Sequence, residues 1–254
     1  MDRIDDYRKL TIDIVGWLCK YINDNNINSL VVGVSGGIDS AVTSTLAAKT
    51  GVPVYAVGMP LSTNIEQETL SDAHLFWLDN TYDNVKVIKT DLSETFAKFI
   101  KGLSNDMDME YIGNPLAKAN SKSRLRMMTL YHIAQNVGGI VVGTGNKVED
   151  YGIGFFTKYG DGGVDVAPIA DLYKTEVREL GGFMGVIPEI LDAQPTDGLW
   201  EDDRTDEDQI GATYAQLEEA METGTGPAVD VLYRFNKQNR HKMEPIPTFK
   251  LGES

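Results

Sequence analysis

The segment that decides the fold reads Val31-Val32-Gly33-Val34-Ser35-Gly36-Gly37-Ile38-Asp39-Ser40-Ala41-Val42. A short β-branched run passes through a Ser-Gly-Gly turn into a second apolar run, which is typical of a strand followed by a helix. In an open parallel sheet, ligands bind at the carboxyl ends of the strands, where this turn would lie. Two adjacent glycines let successive N–H groups point at one anion, and a helix N-terminus adds its positive dipole. The segment therefore predicts a phosphate site on an α/β fold.

Short apolar runs of the same kind recur along the first half of the chain, at 52–57, 85–88 and 140–142. Between them lie helical patterns near 38–50, 64–79, 91–101 and 115–137, and a further amphipathic pattern precedes the first strand. Strands that alternate with helices of this length favour βαβ crossovers and a parallel sheet covered on both faces. The sequence predicts a doubly wound, Rossmann-like sheet flanked by helices. Helical patterns near 173–184, 206–222 and 227–241 predict a helical C-terminal extension within a single domain, 1–254.

Composition limits the possible partners. The 254 residues carry 38 Asp plus Glu against 23 Lys plus Arg, a net charge of −15. A field of this sign repels polyanions, which argues against nucleic-acid binding and against docking on anionic membranes. A phosphate pocket stays possible because salt screens distant charges within about 10 Å.

The N-terminus and the cysteine content bear on location. Cys19 is the only cysteine, so the chain forms no internal disulfide. No basic segment followed by an apolar one opens the chain, and no run approaches about 18 apolar residues. We therefore expect a cytoplasmic protein that does not span a membrane.

The Ser-Gly-Gly turn differs from two common phosphate-binding motifs. It lacks the Gly-Lys-Ser/Thr ending of a Walker A loop and the spacing of a dinucleotide-binding GxGxxG. Asp39 within an anion-binding turn calls for a cation between it and the phosphates, and Mg²⁺ suits that position. The alternative is a plain strand-to-helix turn in which Asp39 only complements the helix dipole.

The hexapeptide Ser35-Gly36-Gly37-Ile38-Asp39-Ser40 resembles the pyrophosphate loop of ATP pyrophosphatases, which cleave ATP between its α- and β-phosphates and leave AMP on a substrate oxygen. This loop is shared by enzymes similar to GMP, argininosuccinate, asparagine and NAD synthetases and to tRNA-modifying thiolases. Later motifs, in the same order, resemble NAD synthetase alone: Asn120-Ser121-Lys122-Ser123-Arg124-Leu125-Arg126-Met127, Gly143-Thr144-Gly145-Asn146-Lys147-Val148-Glu149, Phe156-Thr157-Lys158-Tyr159-Gly160-Asp161-Gly162, Asp171-Leu172-Tyr173-Lys174-Thr175, Gln194-Pro195-Thr196-Asp197 and His241-Lys242. The resemblance covers residues from about 28 to 245.

The resemblance implies a set of ATP and metal contacts. The ATP-binding residues would be Gly33, Val34, Ser35, Gly36, Gly37, Ile38, Asp39, Ser40, Thr144, Lys174 and Thr196. Asp39 and Glu149 would bind Mg²⁺. One residue is added after Glu149 relative to the commoner family spacing, so Asp150 is a rival ligand. The alternative is that Glu149 and Asp150 only cap the next helix, and that Thr196 belongs to a turn started by Pro195.

A second set of residues would contact deamido-NAD, the nicotinate dinucleotide substrate of the family: Asn120, Arg124, Lys158, Asp165, His241 and Lys242. Asn120 and Arg124 are four apart on a predicted helix and share a face. The predicted catalytic residues are Lys174, which would neutralise charge as the α–β bond breaks, and Asp161, which would orient ammonia or accept its proton. The alternative for each is an ordinary surface charge, and for His241 a helix C-terminal residue that interacts with the dipole.

The implied reaction is the amidation of deamido-NAD to NAD⁺, through an adenylated carboxylate, with release of AMP and pyrophosphate. Free ammonia is the expected nitrogen donor, because too few residues precede the first strand for the glutaminase domain of larger family members. The resemblance also implies a homodimer, in which Tyr21, Ile22, Met127 and Met128 are either contact residues or plain core. A different adenylating synthetase and a non-catalytic nucleotide sensor remain alternatives.

Overall fold

The centre of the molecule is a parallel sheet. The computed structural model describes residues 3–61, 65–104, 113–196 and 205–252, and four strands within them form one sheet in the order β3-β2-β1-β4. The strands are β1 Ser29–Val34, β2 Val54–Gly58, β3 Val85–Lys89 and β4 Gly139–Val142. The chain moves to one side of β1 for β2 and β3 and crosses to the other side for β4. The predicted doubly wound sheet is confirmed, with its switch point between β1 and β4.

Helices cover both faces of this sheet. The helices α1 Tyr7–Asp24, α2 Ile38–Ala48 and α3 Ile65–Thr81 lie on one face, and α4 Ser93–Leu103 and α5 Pro115–Val137 lie on the other. Leu30 and Val32 of β1 point into the apolar core on the side of α1 to α3, and Val31 points into the core on the side of α4 and α5. Because successive strand residues alternate between faces, a strand buried on both sides is apolar throughout, as this segment is.

The long helix α5 leads directly into the edge strand β4. Asn114 accepts a hydrogen bond from the N–H of Ala117, at 3.2 Å, and Pro115 occupies the first turn, where no N–H donor is required. Gly138 ends the helix in the left-handed region at φ +61°. This helix carries the predicted dinucleotide contacts Asn120 and Arg124.

The predicted C-terminal extension is helical, but its boundaries differ from the expectation in one place. A π-helical turn, Val148–Ile153, is followed by α6 Lys174–Met184, α7 Pro188–Asp192, α8 Asp206–Ile210, α9 Tyr214–Thr223 and α10 Val229–Met243. The prediction of a single helix near 206–222 is wrong, because two helices occupy this region. Gly211 ends α8 at φ +83°, and the Thr213 side chain then accepts the N–H of Gln216 and starts a new helix.

The extension has its own apolar core and packs beside the sheet. This core contains Val148, Ile153, Tyr173, Ile210, Tyr214, Leu217 and Leu232, while α6 packs against α2 in another cluster. Ile22 is only 3% exposed and belongs to the core of the sheet, so a role for Ile22 at a dimer surface is wrong; Met128 is 59% exposed. Among the described helices, none combines the length and the hydropathy required to cross a bilayer.

Candidate active site

A large cavity opens at the carboxyl ends of β1 and β4. Its volume is about 1280 Å³, above the 300–1,000 Å³ that is usual for small-molecule sites, and therefore sufficient for a dinucleotide and a nucleotide together. It is lined by every residue predicted to bind ATP or metal, by Asp150 and Asp161, and by the predicted dinucleotide contacts Asn120, Arg124, Lys158, His241 and Lys242. Residues from the whole length of the chain thus meet at the switch point.

The predicted pyrophosphate loop is a tight turn fixed by its own serines. Ser35 N–H donates to Ser40 Oγ at 3.1 Å, Ser40 Oγ donates to the Gly37 carbonyl at 2.9 Å, and Gly37 N–H donates to Ser35 Oγ at 3.2 Å. The N–H groups of the first turn of α2 have no partner within the helix and open towards the cavity. The turn therefore offers preorganised donors for an anion.

Gly36 is the residue that this turn requires. Its φ is +91°, and a Cβ at this position would lie 2.4 Å from the carbonyl oxygen of Gln67 and 2.9 Å from the N atom of Ser71. Both are backbone atoms of α3, so they cannot move aside as the end of a side chain can. Only glycine allows the loop to approach α3 this closely.

A charged cluster lies next to the loop. The Lys174 ammonium forms a short hydrogen-bonded ion pair with Asp39 Oδ2 and donates to Glu149 Oε1 at 3.1 Å. The side chains are 8%, 15% and 16% exposed, respectively. Lys174 is the first residue of α6, Asp39 lies in the first turn of α2, and Glu149 lies on the π-helical turn. Three separate elements therefore place one ammonium between two carboxylates.

One cation cannot fully compensate two buried anions. Burial raises the pKa of Asp39 to about 6, although Lys174 lowers it, and Glu149 raises it further. Burial alone would lower the pKa of Lys174, but the two carboxylates outweigh it and raise the pKa, so the lysine stays charged. The cluster keeps an excess of negative charge, which favours a further cation.

The donor set suits a magnesium ion that arrives with a nucleotide. Asp39 and Glu149 supply the carboxylate oxygens that Mg²⁺ prefers, and Mg²⁺ commonly takes one or two carboxylates together with phosphate oxygens. Over the described ranges, no group of three His, Cys, Asp or Glu side chains is close enough to hold a metal by itself. The residues present therefore fit a metal whose remaining ligands come from ATP and water.

The rival ligand Asp150 lines the same cavity. It folds back over Gly145, where a Cβ would lie 2.3 Å from its Oδ2 atom. Burial raises the pKa of Asp150 to about 7, helped by Glu149 and Asp161. Asp150 lies on the π-helical turn, in which each i→i+5 hydrogen bond spans one more residue than in an α-helix.

The glycine-rich loop that follows the π-helical turn is tied to α5. Asp161 Oδ1 accepts a hydrogen bond from Ser123 Oγ at 2.6 Å and another from Thr157 N–H at 3.0 Å. Thr157 Oγ1 donates to Asn120 Oδ1 at 2.7 Å. Enclosure by the cavity walls raises the pKa of Asp161, whereas these two donors lower it. Asn120 and Asp161 therefore hold the loop against the helix at the cavity mouth.

Basic groups gather at the other end of the cavity. Arg124 Nε donates to the Lys158 carbonyl at 3.3 Å, Lys158 Nζ donates to the His241 carbonyl at 2.9 Å, and Lys242 Nζ donates to the Phe156 carbonyl at 2.7 Å. Burial lowers the pKa of Lys242. The last turn of α10 is thereby fastened to the glycine-rich loop, and three cationic side chains face one region of the cavity.

Asp165 is the predicted site residue that does not line the cavity. Its Oδ2 accepts the N–H of Val141 at 2.8 Å and its Oδ1 accepts the Tyr131 hydroxyl at 3.0 Å. Both bonds lie along the outer edge of β4, where the carboxylate satisfies a strand N–H group. Its contact with a dinucleotide stays a prediction.

Two residues of the cluster were missed by the sequence analysis. Asn146 Oδ1 accepts the N–H of Glu149 at 3.1 Å, and Asn146 Nδ2 lies 3.4 Å from Asp39 Oδ1. The Tyr214 hydroxyl donates to Glu149 Oε1 at 2.7 Å. Asn146 lies within the motif from Gly143 to Glu149, so the sequence did indicate its position. Tyr214 lies 65 residues beyond Glu149, and no local pattern in the sequence marks it.

Comparison with known proteins gives the family of the chain. A family model described as NAD synthase matches residues 10–246. The chain belongs to the NAD synthase family. Within this family, the NH(3)-dependent NAD(+) synthetase of Carboxydothermus hydrogenoformans is 40% identical over 241 residues, which cover 93% of this chain and 95% of that protein. The resemblance to NAD synthetase, and with it the ligase class, is confirmed.

Solved structures share the fold of this chain. NMN synthetase from Francisella tularensis aligns with a TM-score of 0.85 at 31% identity, over 98% of this chain and all of that one (100%). NAD+ synthetase from Burkholderia pseudomallei aligns with a TM-score of 0.73 at 27% identity, over 94% of this chain and 90% of that one.

Proposed function

We propose that this chain converts deamido-NAD to NAD⁺ with ATP and ammonia. The observation that carries the proposal is that a Ser-Gly-Gly anion loop and the Asp39–Lys174–Glu149 cluster share one cavity with a basic region formed by Arg124, Lys158 and Lys242. The first two features suit a nucleotide triphosphate with its metal, and the third suits the phosphates of a second nucleotide. The names of the curated relatives support the same reaction.

The proposed ATP site consists of the residues that the family resemblance implies. The N–H groups of the first turn of α2, from Ile38 to Ser40, would bind the pyrophosphate portion in the turn from Ser35 to Ser40. Thr144 and Thr196 would contact the nucleotide from β4 and the segment after α7, and Asp39 and Glu149 would hold Mg²⁺. When bound, the metal supplies positive charge that stabilises the leaving pyrophosphate. Lys174, which lies beside both carboxylates, would also contact the phosphates.

The reaction needs no covalent bond to the protein. The nicotinate carboxylate attacks the α-phosphorus of ATP, the α–β bridging bond breaks, and pyrophosphate leaves into the loop. Ammonia then attacks the acyl carbon, loses a proton, and displaces AMP. The protein contributes positioning, charge neutralisation and a cavity from which water is excluded. Asp161 would orient ammonia through Oδ2, since Oδ1 is occupied by Ser123 and Thr157.

The direct test is mass spectrometry of the products after incubation with deamido-NAD, MgATP and ammonium. We expect NAD⁺, AMP and pyrophosphate in equal amounts, and slow or no turnover when glutamine replaces ammonium. ADP with phosphate in place of AMP, or efficient use of glutamine by the purified chain, would contradict the proposal.

A second substrate is supported by one observation. The TM-score with the Francisella tularensis NMN synthetase is 0.85, against 0.73 for the Burkholderia pseudomallei NAD+ synthetase. The alternative function is therefore the amidation of nicotinate mononucleotide, which lacks the adenylate half of deamido-NAD. The same assay with both substrates separates the two: the preferred substrate has the higher kcat/KM.

The oligomeric state and the cellular location stay predictions. A homodimer would place the exposed Arg124 and Met128 of α5 near a second subunit. Sedimentation equilibrium in solution gives the mass of the assembly directly, and a monomer at micromolar concentration would contradict the prediction.

A further inference from the structure

Tyr214 joins the C-terminal extension to the cluster of charged residues. Its hydroxyl donates to Glu149 Oε1 at 2.7 Å, a normal length for a hydrogen bond between a hydroxyl and a carboxylate. Asp206 Oδ2 is the other acceptor nearby and lies 3.4 Å from the hydroxyl oxygen. Glu149 is therefore the principal partner of this hydroxyl.

The hydroxyl is held in place by the packing of its ring. Tyr214 is 4% exposed and belongs to the apolar core formed by the π-helical turn and helices α8 to α10. The Lys174 ammonium lies 4.9 Å from the ring centroid, which is within range of a cation–π contact. Tyr214 thus contacts Lys174 through its ring and Glu149 through its hydroxyl, and the ring is packed among core residues.

The hydrogen bond determines which oxygen of Glu149 is available. Oε1 accepts from both Tyr214 and Lys174, whereas Oε2 takes no hydrogen bond from the described residues. A glutamate has three rotatable side-chain bonds, and fixing them without support costs conformational entropy. With Oε1 engaged by both groups, Oε2 is the oxygen left to bind a cation in the cavity, which Glu149 lines.

We propose that Tyr214 is a positioning residue for Glu149, which orients this carboxylate for the divalent cation that accompanies ATP. The proposal rests on the proposed function, because it assigns a metal to Glu149. Partners that orient a metal ligand from behind commonly change metal affinity by about 10- to 100-fold when they are removed. The residue lies outside the motifs that resemble the family, on a helix that begins with its own capping threonine.

The test measures metal binding without turnover. Mn²⁺ is titrated into the full chain in the presence of α,β-methylene-ATP, which cannot be cleaved between these phosphates, and free Mn²⁺ is followed by electron paramagnetic resonance. We expect Tyr214→Phe to weaken Mn²⁺ binding by about tenfold or more, because it keeps the packed ring and removes only the hydroxyl. Affinity within twofold of wild type would overturn the proposal.

Two controls separate positioning from general damage. Tyr7→Phe removes a tyrosine hydroxyl that donates to Glu179 on the surface of α6, outside the cavity, and should leave Mn²⁺ binding unchanged. In a Glu149→Gln background, Tyr214→Phe should add no further loss, since the two residues act through one carboxylate. An additional loss of similar size in that background would show that the hydroxyl acts independently of Glu149 and would overturn the proposal.

The Glu149→Gln protein also distinguishes this proposal from the proposed function. If Glu149→Gln weakens Mn²⁺ binding and Tyr214→Phe does not, only the positioning role is refuted. If Glu149→Gln leaves Mn²⁺ binding unchanged, the metal assignment is refuted and the role of Tyr214 is refuted with it.

Discussion

Substituting Lys174 by methionine would leave Asp39 and Glu149 facing each other without the ammonium that now bridges them. The three side chains are 8–16% exposed, so water cannot replace the lost cation effectively. Removing one partner of a buried ion pair typically costs about 3–5 kcal/mol. Methionine is comparable in length and fills the same space, which limits any contribution from a cavity. We therefore expect a loss of about 3 kcal/mol in the free energy of unfolding, measured without divalent cations.

Urea denaturation gives the size of this loss, and thermal melting gives a second estimate. For a chain of this size, about 3 kcal/mol corresponds to a fall in Tm of roughly 6–12 °C. The loss should shrink as the pH is lowered from about 8, because a proton taken up by one carboxyl relieves the repulsion. Beside Lys174 the pKa of Asp39 is already raised to about 6, and it rises further once the ammonium that lowers it is removed.

The control is a lysine in an exposed pair. Lys98 contacts Glu94 at 2.8 Å, with side chains 74% and 82% exposed, and such surface pairs add little to stability. Lys98→Met should be indistinguishable from wild type. Equal stability of the Lys174→Met and Lys98→Met proteins, at neutral pH and without metal, would refute the view that the buried cluster depends on its ammonium.

Three further predictions concern the loop and the core. Gly36→Ala places a side chain at a left-handed φ, which costs about 1–2 kcal/mol, and adds a clash with the backbone of α3, so KM for ATP should rise by about tenfold or more. The control is Gly51→Ala, at φ +76° with nothing within 4 Å, which should leave KM unchanged in the same kinetic assay. Asp39→Asn removes a proposed metal ligand, so the rate of AMP release should fall by about 100-fold and its half-maximal value should require a higher Mg²⁺ concentration. Near-normal release at saturating Mg²⁺ would contradict the metal assignment. Burial lowers the pKa of His74 from 6.5 to about 4, so between these pH values the unfolded chain binds a proton that the folded chain excludes. The free energy of unfolding should therefore fall by up to about 3 kcal/mol as the pH drops through this interval. Urea denaturation of His74→Gln should show a flatter pH dependence, and a slope identical to that of wild type would refute the assignment.

The sheet and its loop could be predicted because their signals are local. A strand buried on both faces is apolar at every position, and Leu30 to Val34 shows this directly in the sequence. The helix α5 could be placed because its first residue follows an asparagine cap and its end is a glycine. The break at Gly211 was missed because an apolar helical period continues across it, and a single glycine within such a pattern is compatible with a helix.

The charged cluster could not be predicted from the sequence because its contacts are long-range. Lys174 and Asp39 are 135 residues apart, and a resemblance to a family places both at ATP without showing that they pair with each other. The resemblance implies a dinucleotide contact for Asp165, whereas the hydrogen bond of its carboxylate with the N–H of Val141 had no signal in the sequence. Backbone groups that a strand leaves unpaired are known only once the sheet order is known.

The position of Lys174 late in the chain has a consequence for biosynthesis. A nascent polypeptide in which β1 and β4 have already paired, but whose synthesis has not reached α6, would hold Asp39 and Glu149 at the switch point without a counterion. Lys174 and, later still, His241 and Lys242 also line the cavity, so its lining is complete only once the C-terminal helices have been synthesised.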